Sequence, residues 1–365
     1  IRNCDWSSDV CSSDLGRVNY DNNFERPVSG MDFNHLALTE MALKADSFYF
    51  CDSKLDVKIR EALFREKCGL AVNQLAGRFV MDSLKLQLPD IYLRTPVSQL
   101  KAHVDMDLDA FADKNPGKLI AQIDGSVGRS DLFLFIGDAL PKPMKRQWPY
   151  YPLNVAGTFR GNMQQASFSG LKVNLPTAFQ LSADGELANM MDMSRLKANV
   201  NLKARTYHLG FVTAMLDPSL MRDIRIPSGI GIQGNIQANG SKYATKLAVT
   251  EGKGSVKLDA KVDAKMRKDG SFDMNSLAYQ AKVQARNVQA KHFLPKQDLY
   301  TFTGNLEAKG VGVDMLSPRT RLQAKAKVNH VHYGKYKLDN ILAVAHVANG
   351  KIHAEIGRAS CRERV

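Results

Sequence analysis

Strict alternation of apolar and polar side chains leaves a chain few choices, because only a strand with one covered face repeats every two residues. Here the alternation is long and recurs. Val256, Leu258, Ala260, Val262, Ala264 and Met266 alternate with Lys257, Asp259, Lys261, Asp263 and Lys265. Leu100, Ala102, Val104, Met106, Leu108 and Ala110 alternate with Lys101, His103, Asp105, Asp107 and Asp109. Leu196, Ala198, Val200, Leu202 and Ala204 alternate with Lys197, Asn199, Asn201, Lys203 and Arg205. Further strands are predicted around 36–38, 41–45, 55–59, 84–88, 119–127, 153–163, 171–175, 179–187, 230–238, 243–249, 277–285, 300–308, 322–328 and 338–347. Gly, Asn, Asp and Pro punctuate them. Helical periodicity is nearly absent. Ile59–Cys68 reads as a short helix or a twisted strand, and Asp217-Pro218-Ser219-Leu220-Met221 as an N-cap followed by one helical turn.

A longer period overlies the alternation. Leu153-Asn-Val-Ala-Gly157-Thr-Phe-Arg-Gly161 resembles Ile230-Gly-Ile-Gln-Gly234-Asn-Ile-Gln-Ala238 and Tyr300-Thr-Phe-Thr-Gly304-Asn-Leu-Glu-Ala308. The central glycines are 77 and 70 residues apart. Each strand follows an aromatic, proline-bearing break: Phe135 to Pro149, Phe211 to Pro227, Phe293 to Pro295. Repeated supersecondary units point to an array rather than one core. The predicted segments are 16–130, 131–206, 207–290 and 291–354, the last truncated. The expected fold is all-β: an elongated, curled, open antiparallel sheet with short helical or Pro-rich breaks between repeats.

The two ends break this pattern. Residues 1–15 and 355–365 have neither alternation nor an apolar face, and both resemble translated sequencing-library adapters. They are expected to be non-native, leaving 339 residues, 16–354, as a piece of a longer reading frame. The formal charge of +13 then becomes +14, because the first end carries −2 and the last +1. Three of the five cysteines fall in the ends; Cys51 and Cys68 remain, at a spacing that fits no metal or redox motif. Two unrelated thiols or one disulfide are both open. Hydrophobic residues at 44% exclude a disordered chain. The longest apolar runs, Leu132–Gly137 and Leu209–Leu216, fall far short of the ~18 residues a membrane-spanning helix needs.

About fifteen to twenty strands thus carry an apolar face with few helices to cover it. A sandwich favours shorter strands. An outer-membrane barrel calls for aromatic girdles at strand ends, whereas the aromatics here fall mostly in breaks. A secreted structural or adhesive β-solenoid calls for a short regular coil period. A groove filled by acyl chains remains, along with solenoids. Its predicted lining is Val104, Met106, Leu108, Val200, Leu202, Val256, Leu258, Val262, Leu322 and Val328. Ala260, Ala264, Ala324 and Ala326 leave room in it.

Two phrases carry a family resemblance. Met31-Asp-Phe-Asn-His-Leu-Ala-Leu-Thr-Glu-Met-Ala-Leu-Lys-Ala-Asp-Ser-Phe-Tyr-Phe50 and Leu75-Ala-Gly-Arg-Phe-Val-Met-Asp-Ser-Leu-Lys-Leu-Gln-Leu-Pro-Asp-Ile-Tyr-Leu-Arg-Thr-Pro-Val-Ser-Gln-Leu100 resemble the AsmA-like family. Within it they are most like the TamB-type translocation and assembly module subunits. The strands that follow the aromatic breaks fit as well. The resemblance implies a periplasmic protein, held in the inner membrane by an anchor that precedes residue 16, with a hydrophobic β-groove. It implies phospholipid acyl chains as cargo, an Omp85-class outer-membrane barrel as partner, and a role in lipid transport or outer-membrane protein assembly. It implies no enzymatic activity and no cofactor.

Other motifs weigh little. Gly229-Ile-Gly231-Ile-Gln-Gly234 matches GxGxxG, but alternation continues through it where a dinucleotide site needs a helix. His330 and His332 share a strand face without a third metal ligand nearby, and Asp105, Asp107 and Asp109 read as a wet strand face. No catalytic motif and no metal site is predicted. Lys142-Pro-Met-Lys-Arg-Gln-Trp-Pro-Tyr-Tyr151 mixes cations and aromatics in a break. It reads as a loop near lipid headgroups or a partner, or as a packing loop. No nucleic-acid partner is expected, because the positive charge is spread over strand faces.

Overall fold

A computed structural model describes residues 6–8, 11–112, 114–162, 164–190, 192, 194–215, 222–265, 267, 272–357 and 360–362, with side chains described between 16 and 357. Strands hold 62% of the residues and helices 8%, and the antiparallel sheet is not closed. A barrel needs closure and a solenoid needs parallel coils; the described strands have neither. The chain divides into two compact units: residues 1–180 with 210–215, and residues 181–209 with 216–365.

In the first unit β1 (Trp6–Ser8) and β2 (Cys11–Asp21) both pair with β3 (His35–Cys51). The meander continues through β4 (Lys54–Glu66), β5 (Ala71–Met81), β6 (Lys85–Arg94), β7 (Gln99–Asp107), β8 (Leu119–Val127), β9 (Leu153–Gly161) and β10 (Gln165–Leu175). β11 (Phe179–Ala188) begins at the division, and in the second unit its Ser182 lies against Lys203 of β12 (Lys197–Thr206). From β12 the meander runs through β13 (Gly231–Asn239), β14 (Lys242–Glu251), β15 (Gly254–Asp263), β16 (Ala278–Gln289), β17 (Leu299–Val311), β18 (Arg321–Tyr333) and β19 (Tyr336–Ala348). β20 (Lys351–Ile356) and β21 (Ser360–Arg362) both pair with β19.

Tight turns set the register. Asp52–Ser53 and Asn349–Gly350 link β3 to β4 and β19 to β20 with both residues at positive φ, the twist-matched hairpin geometry. The helical pieces are α1 (Arg129–Ile136), a 3₁₀ turn (Gly137–Ala139), α2 (Lys142–Gln147), α3 (Gly210–Thr213) and α4 (Ala290–Phe293). They fall between β8 and β9, β12 and β13, and β16 and β17. The ~70-residue sequence period is thus four strands.

Several strand expectations need correction. The stretches 36–38 and 41–45 are one strand, β3, because bulges at Thr39/Ala42 and Lys44/Ser47 interrupt its alternation. Ile59–Cys68 is strand as far as Glu66, also bulged. The strand over 71–81 had no expectation. The apolar run Leu132–Gly137, for which no strand was expected, is mostly helix and follows Asp131 in the first turn of α1. Asp217–Met221 and Met266 lie outside the described residues. Residues 6–8 and 11–15 extend the sheet at β3, and 360–362 at β19. An open sheet edge takes up any extended chain through backbone groups alone.

Candidate functional site

Residues directly opposite in an antiparallel pair share a face, so the register maps that face. In the second unit one row runs Leu202, Gly234, Leu247, Leu258, Val283, Leu306, Ala326, Ala343. Its neighbours along the strands run Val200, Ile236, Thr245, Ala260, Ala281, Ala308, Ala324, Ala345 and Ala204, Ile232, Val249, Val256, Ala285, Gly304, Val328, Ile341. A fourth runs Ala238, Tyr243, Val262, Tyr279, Gly310, Leu322, Val347. At roughly 4.8 Å per strand, the rows from β12 to β19 extend about 34 Å.

Side-chain size varies between the rows. From β15 to β20 the second row is alanine in six successive strands: Ala260, Ala281, Ala308, Ala324, Ala345, Ala354. Leu258, Val283 and Leu306 rise on one side of it, and Val262, Tyr279 and Leu322 two positions away on the other. The result is a shallow furrow crossing the strands, about 24 Å long over those six strands. Most of these side chains are half-buried; Leu306 is 40% exposed and Ile236 39%. Burial lifts the Tyr279 phenol above its ordinary pKa.

The opposite face is wet. Lys246, Asp259, Lys282, Glu307 and Lys325 stand opposite one another in alternating sign, with Lys282 Nζ 3.2 Å from Glu307. Asn235 Nδ2 donates to both Asn199 and Asn201 at 2.9 Å. Alternation has therefore sorted the unit into one charged face and one apolar face.

In the first unit Leu86, Met106, Leu119, Gly161 and Ala166 form one row, and Leu88, Val104, Ala121, Phe159 and Phe168 the next. The sequence-predicted lining is accordingly brought together in two sets. Val104 and Met106 are neighbours on the first unit's face; Val200, Leu202, Val256, Leu258, Val262, Leu322 and Val328 share the second unit's face. Leu108 is not among them, because β7 ends at Asp107 and Leu108 lies in the following turn, 44% exposed. Ala264 lies just past β15 and is buried. Leu247, Val283, Leu306 and Ile341 were missed as lining, although the turn lengths that fix register were readable.

The first unit's face ends in a polar and aromatic cap. Asp131 is buried in the first turn of α1 and accepts the hydroxyls of Thr95 (2.5 Å) and Ser98 (2.6 Å), pinning the helix to the β6–β7 turn. Buried Asp32 accepts Val28 and Asn34 backbone N–H groups and lies 3.0 Å from His35 Nδ1. The Val28 bond, with the others, holds its carboxyl below the ordinary range against the opposing effect of burial. Gly30 packs on α1 so closely that a Cβ would sit 2.4 Å from Leu134 O. Trp148 meets Phe133 and Phe211 edge-on at 6.0 and 5.0 Å.

The remaining motifs resolve into ordinary contacts. Gly229–Gly234 runs into β13, not a helix. His330 pairs with Asp339 at 2.7 Å while His332 stacks on Tyr300. Asp107 accepts the Lys118 N–H, and Asp105 contacts Gln87. Among the described residues no group of three or more His, Cys, Asp or Glu is placed to hold a metal. Cys51 and Cys68 sit beyond opposite ends of β4, so no disulfide joins them. Burial and the neighbouring Glu66 raise the Cys68 thiol pKa. No family model, curated protein or solved structure matches the chain.

Among the described residues, Leu175 and Thr320 are the large side chains with almost no exposure. Much of the apolar surface thus lies on sheet faces that the chain's own side chains cover only in part.

Proposed function

We propose that this chain is part of an AsmA-like carrier whose apolar sheet face holds phospholipid acyl chains. The observation that carries the reading is the in-register apolar face of the second unit, with its alanine-floored furrow. An acyl chain laid on such a face gains about 0.8 kcal/mol for each CH₂ withdrawn from water. A furrow with no charged group on its floor gives a chain no fixed stopping point, which suits conduction along the sheet. The resemblance adds the setting: a periplasmic protein held at the inner membrane, working with an Omp85-class barrel in lipid delivery or outer-membrane assembly. Carriage needs no catalytic group, so the reading is of a carrier and not an enzyme.

The test is photo-crosslinking from a diazirine amino acid placed at Leu258 in cells. Acyl chains are expected to crosslink there, and Val262→Asp, two positions along the same face beyond Ala260, is expected to abolish the adduct. A probe at Lys257, on the opposite face, is expected to give none. Equal labelling at Leu258 and Lys257, or labelling that survives Val262→Asp, sinks the proposal.

A further inference from the structure

We infer that the helix-capped end of the first unit is a docking surface for an anionic phospholipid bilayer. The inference extends the lipid reading by naming the surface from which lipid would be taken or to which it would be given. Its evidence and its test are separate from the sheet face.

The end exposes large apolar side chains on three neighbouring segments. Phe24 is 97% exposed, Phe33 65%, Phe135 51% and Tyr150 87%. These segments are fastened to one another. Met31 N donates to Leu134 O at 2.8 Å, and Ser29 bonds Asp138. The Arg129 guanidinium lies 4.7 Å from the centre of the Tyr150 ring and 5.2 Å from that of Phe133. Contiguous exposed apolar groups on a folded surface mark an interaction site. Phenylalanine and tyrosine on separate loops, with no groove between them, suit insertion among headgroups more than the grip of a peptide.

The charge is complementary to such a surface. Between residues 139 and 151 stand Lys142, Lys145 and Arg146, and no acidic side chain. Three carboxyls of this end are turned to internal tasks: Asp131 and Asp32 are buried and hydrogen-bonded, and Asp138 is engaged by Ser29, while Glu25 beside Phe24 is exposed and is outnumbered by the three cations of α2.

A cavity of about 570 Å³ opens in the same place, lined by Val97, Gly128, Arg129, Phe133, Tyr150 and Pro152 among others. Arg129 Nη2 donates to Lys145 O at 2.8 Å, whereas its Nε–H is buried without an acceptor. A buried donor left unmet is costly, and more so on a charged group. The Arg129 side chain lines the cavity, so its positive charge faces a phosphate seated there, with the rings of Phe133 and Tyr150 beside the glycerol and upper chain. The cavity adjoins Val127 and Leu153, the last pair of the apolar face.

The experiment is co-sedimentation of the purified chain with vesicles of phosphatidylcholine alone or with about 30% phosphatidylglycerol, at low and high salt. Strong binding to the anionic vesicles, weak binding to the neutral ones and loss at high salt are expected. Replacing Lys142, Lys145 and Arg146 together by Gln is expected to weaken anionic binding on the order of a hundredfold, at roughly fivefold per cation. Phe135→Ser with Tyr150→Ser is expected to weaken it on both vesicle types. Arg129→Gln is expected to cost roughly fivefold with the melting temperature unchanged, and Arg129→Lys to recover part of it.

Equal binding to the two vesicle types, or a triple variant that binds like the parent, overturns the proposal. So does abolition by Val262→Asp, which would place the bilayer on the sheet face. Inorganic phosphate at matched ionic strength is expected to leave vesicle binding intact; if it competes, the cavity serves a free anion and docking is refuted. Docking at this end that persists while the Leu258 probe captures no acyl chain would separate the two proposals and leave this one standing.

Discussion

The two units are built on the same antiparallel meander, yet their registers differ. From β12 to β16 the second unit pairs nine or ten residues per strand without a break, and shifts of register enter it at the β16–β17 and β17–β18 pairings. In the first unit bulges interrupt the pairings of β3 with β4, β4 with β5, β5 with β6, β6 with β7 and β9 with β10. Each bulge adds a residue to one strand, bends it and shifts which residues face the apolar side. The first unit also buries Asp32, Glu66, Thr95, Ser98 and Asp131, whereas Thr206 and Thr320 are the second unit's buried polar residues among those described. The bulge-free stretch from β12 to β16 suits the acyl-chain reading proposed above, and the helix-tied end of the first unit suits the docking reading.

The largest expected effect breaks the polar anchor of the first unit. Asp131→Leu removes two hydrogen bonds to a carboxyl and leaves the Thr95 and Ser98 hydroxyls unmet in a buried site. The expected loss is roughly 4 kcal/mol. Amide exchange is the measurement: protection is expected to fall in α1 and the β6–β7 turn and to hold in β14–β15. Loss of protection in both units alike would show that the anchor is not local to the first.

Glycine substitution probes the bulges next. Gly77 has φ +133°, and a Cβ there would lie 2.1 Å from Asp90 O, beside the break in the β5–β6 pairing. Gly69 has φ +102° with nothing within 4 Å of its Cβ position. Gly77→Ala is expected to cost about 3 kcal/mol, strain plus a backbone collision, and Gly69→Ala about 1 kcal/mol, strain alone. Equal costs in denaturant titrations would mean that the close approach at the bulge is not what Gly77 provides.

These same features decide how much was legible in the sequence. Around Val256–Asp263 the period of two is undisturbed, so the strand, its apolar side and the lining residues Val256, Leu258 and Val262 could be read directly. Around Thr39–Ser47 and Ala76–Val80 bulges shift the phase, so β3 read as two strands and β5 was passed over. The furrow was half legible: Ala260 and Ala324 stood out as small, but their alignment through Ala281 and Ala308 needs the register of four strands at once. The cap at α1 gave no periodic signal. Its order comes from Asp131 meeting Thr95 and Ser98 of one turn, more than thirty residues away in sequence, which happens only after the strands have paired.

Acid separates the units more gently. Asp32 is held below its ordinary pKa chiefly by the Val28 N–H, so its contribution is present above about pH 4 and is lost as pH falls through the lower folded value. In the second unit Asp192, lowered to about 2 by Ser194 and Arg195, sits on an exposed turn outside the ladder. Acidification below pH 4 is therefore expected to raise amide exchange at Val28 and Asn34 while Leu258 keeps its protection. Simultaneous release at all three sites would assign acid sensitivity to the whole chain instead of to the cap.

The smallest expected effect tests whether the charged face of the second unit acts as a row or as separate pairs. Lys282→Glu places a carboxylate opposite both Asp259 and Glu307, at an expected cost of about 0.5 kcal/mol at low salt. For an isolated pair, adding Glu307→Lys would restore stability. In a row it would not, because residue 282 would still oppose Asp259 and residue 307 would now oppose Lys325. The double variant is thus expected to remain as unstable as the single one, with both recovering as salt screens the contacts. Full rescue by the double variant would show that Lys282 and Glu307 act alone, and that the register of this face is held by its turns and backbone without help from alternating charge.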